Sequence, residues 1–451
     1  MKKVLVLGAG LVARPLVRYL LNVPDFQVTV ASRTVAKAEA LVGGHARGRA
    51  AAVVSENIAA LELLVREHDL AISLLPAPQH PIVADLCVRY RKHMVTTSYI
   101  SPKMKEFDSA ARSAGVMLLN EIGVDHGIDH MSAMRIIHDV HKRGGRVVSF
   151  RSYCGGLPAP EANDNPLGYK FSWSPAGVCR AGKNAAKWLE NGKHVEIPSA
   201  DLFLNHHPVP VEGVPGHTEL EGYPNRDSLS YIDVYGLTNM QTMFRGTLRY
   251  PGWCAFLKKI VDFGYLNEDA VTYPAGTSFA QWTASFIQSN STADICARVA
   301  KHFQADVKAN FLDRWEWLGL FGNDALPITG KPTTALETLA ARMEQKMAYR
   351  PGERDMLVLL HKFVAHLPKA GGPGAPAEER ISSTMIDFGI PDGDSSMART
   401  VSLPAAIATR LILTGQLCDA GVHAPVQPHV YNPVLDELAA MNIRCIEKTE
   451  R

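Results

Sequence analysis

Between Val4 and Asn120 the sequence alternates short apolar runs with stretches of helical spacing, and few chains with that rhythm have more than one way to fold. The runs Val4–Leu7, Gln27–Ala31, Ala51–Val54, Leu70–Leu74, His93–Thr97 and Val116–Asn120 read as strands. Between them, Leu11–Leu21, Val35–Leu41, Ile58–Val65, Pro81–Arg91 and Lys103–Ala114 carry apolar residues at helical period. Strands buried on both faces show continuous apolar runs, not alternation. Strand–helix repetition of this kind implies an α/β fold, a doubly wound parallel sheet with right-handed crossovers.

After about Gly127 the rhythm changes. Residues 146–154 and 242–250 read as longer strands in a mixed or antiparallel sheet. Trp253–Phe263, Ala280–Ile287, Thr292–Val307 and Ala335–Met347 read as helices, and Lys369–Arg380 as an exposed connection, a candidate hairpin loop. A last helix, Ser402–Leu413, precedes a C-terminal tail.

The first turn carries the most chemistry. Gly8-Ala9-Gly10-Leu11-Val12-Ala13 fits G-x-G-x-x-G/A, after a strand and opening a helix. The first glycine permits the tight turn, the second lets backbone approach a pyrophosphate, and small Ala13 lets helix and strand pack closely. The helix N-terminus then offers N–H groups and positive dipole to phosphate. The second strand ends in Ser32-Arg33-Thr34, where a dinucleotide-binding fold often places an acid for the adenine ribose. Without that acid a 2′-phosphate meets no repulsion, and a planar, permanently charged guanidinium pairs well with it. The expected cofactor is NADP(H). Ligands collect at the carboxyl ends of strands in such sheets. Leu74 and Leu75 should therefore line the cleft, with Thr97, Ser98 and Tyr99 after one strand and Glu121, Val124 and Asp125 after another.

Beyond the first sheet, Arg151–Ser174 joins a strand to a long loop punctuated by Gly and Pro. Long scaffolded loops often carry binding groups. Cys154 ends the strand, and Trp173 is either a cover for a flat ring such as nicotinamide or a core residue. Arg245 and Thr247 share one face of a strand and flank Gly246. Together with Arg226 they suit a substrate with several carboxylates, the alternative being internal ion pairs.

The bulk properties exclude several other classes. Net charge is +2 over 451 residues, too small to imply nucleic-acid binding by itself. No window approaches the ~20 apolar residues of a membrane span. The N-terminus MKKVLVLGAG mimics a targeting segment, but its apolar run is short and broken by glycine. Seven scattered cysteines with no CxxC pair point to reduced thiols and a cytoplasmic setting. His126 and His130 are four apart and His206-His207 adjacent, but no third ligand and no HExxH is evident, so no metal is expected.

The stretches VLGAGLVARPLV, VTVASRT, ISLLP, VTTSYISP, NEIGVDHGIDH, SYCGGLPAPEANDNPLGYKFSWS, YPNRDS, FRGTLRYPG and MARTVSLPAAIATRLIL together resemble the saccharopine dehydrogenase family, in its NADP-dependent, L-glutamate-forming branch. The resemblance spans nearly the whole chain. It implies a variant Rossmann domain (residues 1–127 with 395–451), a mixed α/β substrate domain (128–254 with 350–394) and a helical insert (255–349). The implied reaction is reduction by NADPH of the imine of 2-aminoadipate 6-semialdehyde and L-glutamate to saccharopine, in lysine metabolism. Carried over by position, Gly10, Leu11, Ser32, Arg33, Leu75, Thr97, Val124 and Trp173 would contact NADP. The neighbouring Gly8, Ala9, Val12, Thr34, Val54, Ser55 and Ser98 are further cofactor candidates. Ser98, Tyr99, Asp125, Arg226, Arg245, Gly246 and Thr247 would contact saccharopine, with Cys154 nearby. Saccharopine's three carboxylates match the arginines, and its secondary amine would favour Asp125. Hydride transfer needs mainly positioning and stabilised charge, so Asp125 is expected to act electrostatically, with proton handling by Asp125 or Tyr99.

Two positions depart from the family pattern. Asp125-His126-Gly127 stands for the usual Asp-Pro-Gly, and Val54-Ser55 stands where an Asp usually ends the third strand. A homodimer is an open expectation. The competing readings are an imine reductase of another amine, such as a carboxynorspermidine-type dehydrogenase, and a non-catalytic NADP-binding redox sensor.

Overall fold

Runs with an apolar residue at nearly every position can only be covered on both faces, and the computed structural model covers them. It describes residues 1–54, 56–368 and 377–450. Among these the chain forms two compact units, Met1–Val148 with Asp233–Leu237 and His361–Arg451, and Ser149–Ile232 with Thr238–Leu360.

In the first unit the strands are β1 (Lys2–Leu7), β2 (Phe26–Ser32), β3 (Gly48–Ala52), β4 (Leu70–Ser73), β5 (His93–Thr96) and β6 (Met117–Leu119). Their order is β3-β2-β1-β4-β5-β6, extended past β6 by the strand Gly421–His423. Every pairing is parallel. The order reverses between β1 and β4, so their carboxyl ends, at Gly8 and Leu74, open a crevice suited to a ligand. Val4, Leu5, Val6 and Leu7 are fully buried. Leu5 and Leu7 pack in a cluster with Leu61, Val65, Val83 and Leu86 from the helices on one side. Burying each such side chain contributes roughly 1.5–3 kcal/mol.

Helix Ser396–Leu413 packs against the first helix, Ala13–Asn22, and against β4 and β5. It begins six residues before the expected start at Ser402, because Ser395 caps it by accepting from the Ala398 N–H at 3.0 Å. The expected C-terminal tail is instead ordered structure: the strand Gly421–His423, a helix Pro428–Ala440 and a strand Ile446–Glu450. That last strand pairs antiparallel with Ala377–Phe388, Thr384 opposite Ile446. The helix expected over Lys103–Ala114 is two pieces, Pro102–Lys105 and Asp108–Ala114. Of the connection expected at Lys369–Arg380, residues 369–376 lie outside the described residues.

In the second unit the sheet is mixed. Strand Thr242–Arg249 runs parallel to Arg146–Pro158, with Thr247 opposite Cys154, and antiparallel to Glu219–Pro224. The helices Trp253–Asp262, Phe279–Phe286, Ile295–His302, Asn310–Leu318 and Ala335–Lys346 surround an aromatic core. There the rings of Tyr265 and Trp282 stack at 4.5 Å between centroids, and Trp315 and Phe263 meet edge to face. The helix expected over Thr292–Val307 spans only 295–302, and the chain leaves it at Gln304 with φ 51°.

Candidate active site

The nucleotide loop follows from β1. Gly8 takes φ 112°, and a Cβ there would sit 3.0 Å from the Leu74 carbonyl oxygen, so the turn demands glycine. A Cβ on Gly10 would meet nothing within 4 Å, so this second glycine leaves open space over the turn. Leu11 is largely exposed, and no side chain caps the helix that follows. At the end of β2, Thr34 N–H donates to Ser32 Oγ at 3.3 Å and Arg33 is exposed. Open backbone at Gly10, an uncapped helix N-terminus and an exposed guanidinium fit a dinucleotide phosphate. Val54 lies just beyond β3 and is exposed, whereas Ser55 lies outside the described residues.

The ends of β5 and β6 hold a polar cluster. Tyr99 packs its ring edge-on to His126 at 4.4 Å, and His126 stacks on His130 at 4.6 Å. His126 Nδ1 lies 3.1 Å from Asp129 Oδ2 and 3.5 Å from Asp125 Oδ1. The other Asp129 oxygen accepts the N–H groups of Gly127 (2.6 Å) and His130 (2.7 Å). His130 bridges Glu121 Oε2 and the Tyr235 hydroxyl, both at 2.7 Å. Burial alone would raise the Glu121 carboxyl; the hydrogen bond from His130 and the charge of the two imidazoles overcome it and hold the group at about 2. The sequence offered no third ligand for His126 and His130, but the fold brings Glu121 to them, the three ligand atoms lying within 4.8 Å of one another. Hydrogen bonds to Asp129, Tyr235 and Glu121 already engage these imidazoles.

Cys154, Trp173, Arg226, Arg245, Gly246 and Thr247 all fall in the second unit. Arg245 is buried, its guanidinium 4.6 Å from the centre of the Tyr231 ring, and its N–H donates to Ser228 Oγ at 3.0 Å. Gly246 has a packing reason to be glycine: a Cβ would press on Phe244 (2.8 Å) and on the Tyr223 carbonyl (2.9 Å). Arg226 is exposed and takes φ 56°. Trp173 is half-buried, with its indole lying over Gly177.

The expected residues thus divide between the units: Gly8–Val12, Ser32–Thr34, Val54, Leu75, Thr97–Tyr99, Val124 and Asp125 in the first, and Cys154, Trp173, Arg226, Arg245, Gly246 and Thr247 in the second. Two residues went unassigned. His80 hydrogen-bonds Ser98. Arg249, on the strand face of Arg245 and Thr247, is buried with its guanidinium over the rings of Tyr169 (4.8 Å) and Trp253 (5.6 Å). The Arg249 signal was available in the alternation that puts position 249 on the strand face of Arg245 and Thr247.

A glycine turn at the reversal of a parallel sheet, with no acid at the end of β2, defines a dinucleotide-binding α/β protein. Residues 4–119 match the family model described as the saccharopine dehydrogenase NADP binding domain, and residues 123–443 match the saccharopine dehydrogenase C-terminal domain. The chain belongs to the saccharopine dehydrogenase family. It is 42% identical to the NADP(+), L-glutamate-forming saccharopine dehydrogenase of Schizosaccharomyces pombe, over 99% of both chains. Against the Saccharomyces cerevisiae enzyme of that name it is 40% identical, covering 97% of this chain and 96% of that one. The apo structure of the Saccharomyces cerevisiae L-Glu-forming enzyme superposes with a TM-score of 0.87 at 39% identity, covering 100% of each chain. The chain also matches 47% of the bovine mitochondrial alpha-aminoadipic semialdehyde synthase at 37% identity.

Proposed function

We propose that this chain interconverts saccharopine with 2-aminoadipate 6-semialdehyde and L-glutamate, using NADP(H). The observation that carries this reading is the 42% identity to an L-glutamate-forming saccharopine dehydrogenase across 99% of both chains. Gly8–Val12 and the helix that follows hold the pyrophosphate. Ser32, Arg33 and Thr34 take the 2′-phosphate, with Val54 near the adenine. Leu75, Thr97, Val124 and Trp173 complete the cofactor contacts. When bound, NADPH supplies the hydride that the imine carbon accepts.

The chain's own residues orient the substrate. Arg226 and Arg245 pair with carboxylates, fixing their plane as well as their charge. Gly246 and Thr247 continue that contact beside Cys154, and Ser98 and Tyr99 meet the substrate from the end of β5. Asp125 stabilises the cationic amine. Proton handling belongs to Asp125 or Tyr99, and the work divides among a cofactor domain (1–127 with 395–451), a substrate domain (128–254 with 350–394) and a helical insert (255–349). Disulfides are absent among the described cysteines, which suits a cytoplasmic enzyme of lysine biosynthesis.

Arg245→Ala tests the substrate half. Losing a charged hydrogen-bonding partner should raise the apparent KM for saccharopine about tenfold to a hundredfold while leaving that for NADP nearly unchanged. Equal rises in both constants would remove Arg245 from the substrate site.

A further inference from the structure

We propose that His80 is a positioning residue that turns the Ser98 hydroxyl hydrogen away from the imidazole, so that Ser98 meets its ligand as a donor to a carboxylate or carboxamide oxygen. This rests on the reading of Ser98 as a ligand contact. His80 opens helix His80–Arg89, directly after the turn that follows β4, and is 2% exposed. Burial pushes its pKa down to about 4. At neutral pH the ring therefore carries one N–H and one lone pair.

Each nitrogen faces a serine. Nδ1 lies 2.8 Å from Ser73 Oγ, and Nε2 lies 2.7 Å from Ser98 Oγ. Ser73 is the last residue of β4 and is 1% exposed. Among the described residues its hydroxyl has no hydrogen-bond partner besides His80. If Nδ1 carried the hydrogen, the buried Ser73 O–H would have no acceptor among the described residues, an arrangement that folded chains avoid. Ser73 therefore donates to Nδ1, and Nε2–H donates to Ser98 Oγ.

The Ser98 hydrogen cannot then point at His80. The Ser98 backbone is held at both ends, its N–H donating to Thr96 Oγ1 at 3.3 Å and its carbonyl accepting from Glu121 N–H at 3.0 Å. Thr96 Oγ1 in turn donates to the Ser73 carbonyl at 2.8 Å. Ser98 sits half-buried past the carboxyl end of β5, where ligands of such sheets bind.

The test is 15N NMR of the full chain labelled at histidine, with the His80 signals assigned by their loss in His80→Gln. The expected result is an Nε2–H tautomer that stays neutral from about pH 6 to 9. An Nδ1–H tautomer, or protonation within that range, would overturn the proposal. Saccharopine kinetics give a second readout. His80→Ala and Ser98→Ala should each lower kcat/KM by about tenfold, and the double variant should be no worse than Ser98→Ala. His80→Gln, which puts an amide N–H near Nε2, should recover most of the loss. A full additional loss on removing His80 from the Ser98→Ala background would show that it does not act through Ser98. A wild-type chain inert toward saccharopine would count against the proposed reaction instead, and the tautomer would still decide the direction of the hydroxyl.

Discussion

Arg33 is exposed at the end of β2 and, among the described residues, forms no ion pair. Arg33→Ala should lower the ratio of kcat/KM with NADP to that with NAD by about tenfold or more, since a charge-assisted phosphate contact is lost. An unchanged ratio would leave cofactor choice to some other group. Glu121 makes a prediction about pH. Its folded pKa lies below its unfolded value, so its contribution to stability is fully present above about pH 4.5 and is lost as pH falls toward about 2. Glu121→Gln should therefore melt below wild type at pH 7, and the gap should narrow across that acid range. A constant gap would mean that the carboxylate charge is not what stabilises the cluster. At this scale the Gly8 turn was legible, because spacing alone fixes a turn. The role of His80 was not, because Ser73 and Ser98 are far apart in sequence and meet only where β4 pairs with β5.

The turn joining β1 to the first helix separates two kinds of glycine. Gly8→Ala puts a side chain at φ 112° and 3.0 Å from a carbonyl, so the apo protein should lose about 1–3 kcal/mol in urea unfolding. Gly10→Ala meets nothing in the protein, so its apo stability should match wild type while NADPH binding, followed by cofactor fluorescence, weakens. Equal unfolding curves for the two variants would refute the distinction. The β1–β6 series was legible because a doubly covered strand has a plain apolar signature. The strands Asp355–Leu367 and Ala377–Phe388 were not recognised. The second buries polar Glu379 and Ser383, which breaks the alternation that marks a strand. Helix Pro428–Ala440 opens on Pro428 and contains Pro433, and proline reads as a breaker even though the first turn tolerates it.

Across the whole molecule, the first six strands of the nucleotide-binding sheet could be read from local pattern, whereas its completion by the C-terminal segment could be expected only through family resemblance. Helix Ser396–Leu413 and strand Gly421–His423 return after more than 270 residues to pack on a sheet whose other six strands end by Leu119. No local periodicity announces such a return. Nor does any of it choose the amine, a choice that the proposed function gives to Arg226 and Arg245. The most direct measurement is NADPH oxidation with 2-aminoadipate 6-semialdehyde, comparing L-glutamate with other amino acids and with diamines. Rapid turnover with L-glutamate alone, yielding saccharopine, is the expected result. Turnover with a diamine and indifference to L-glutamate would contradict the account.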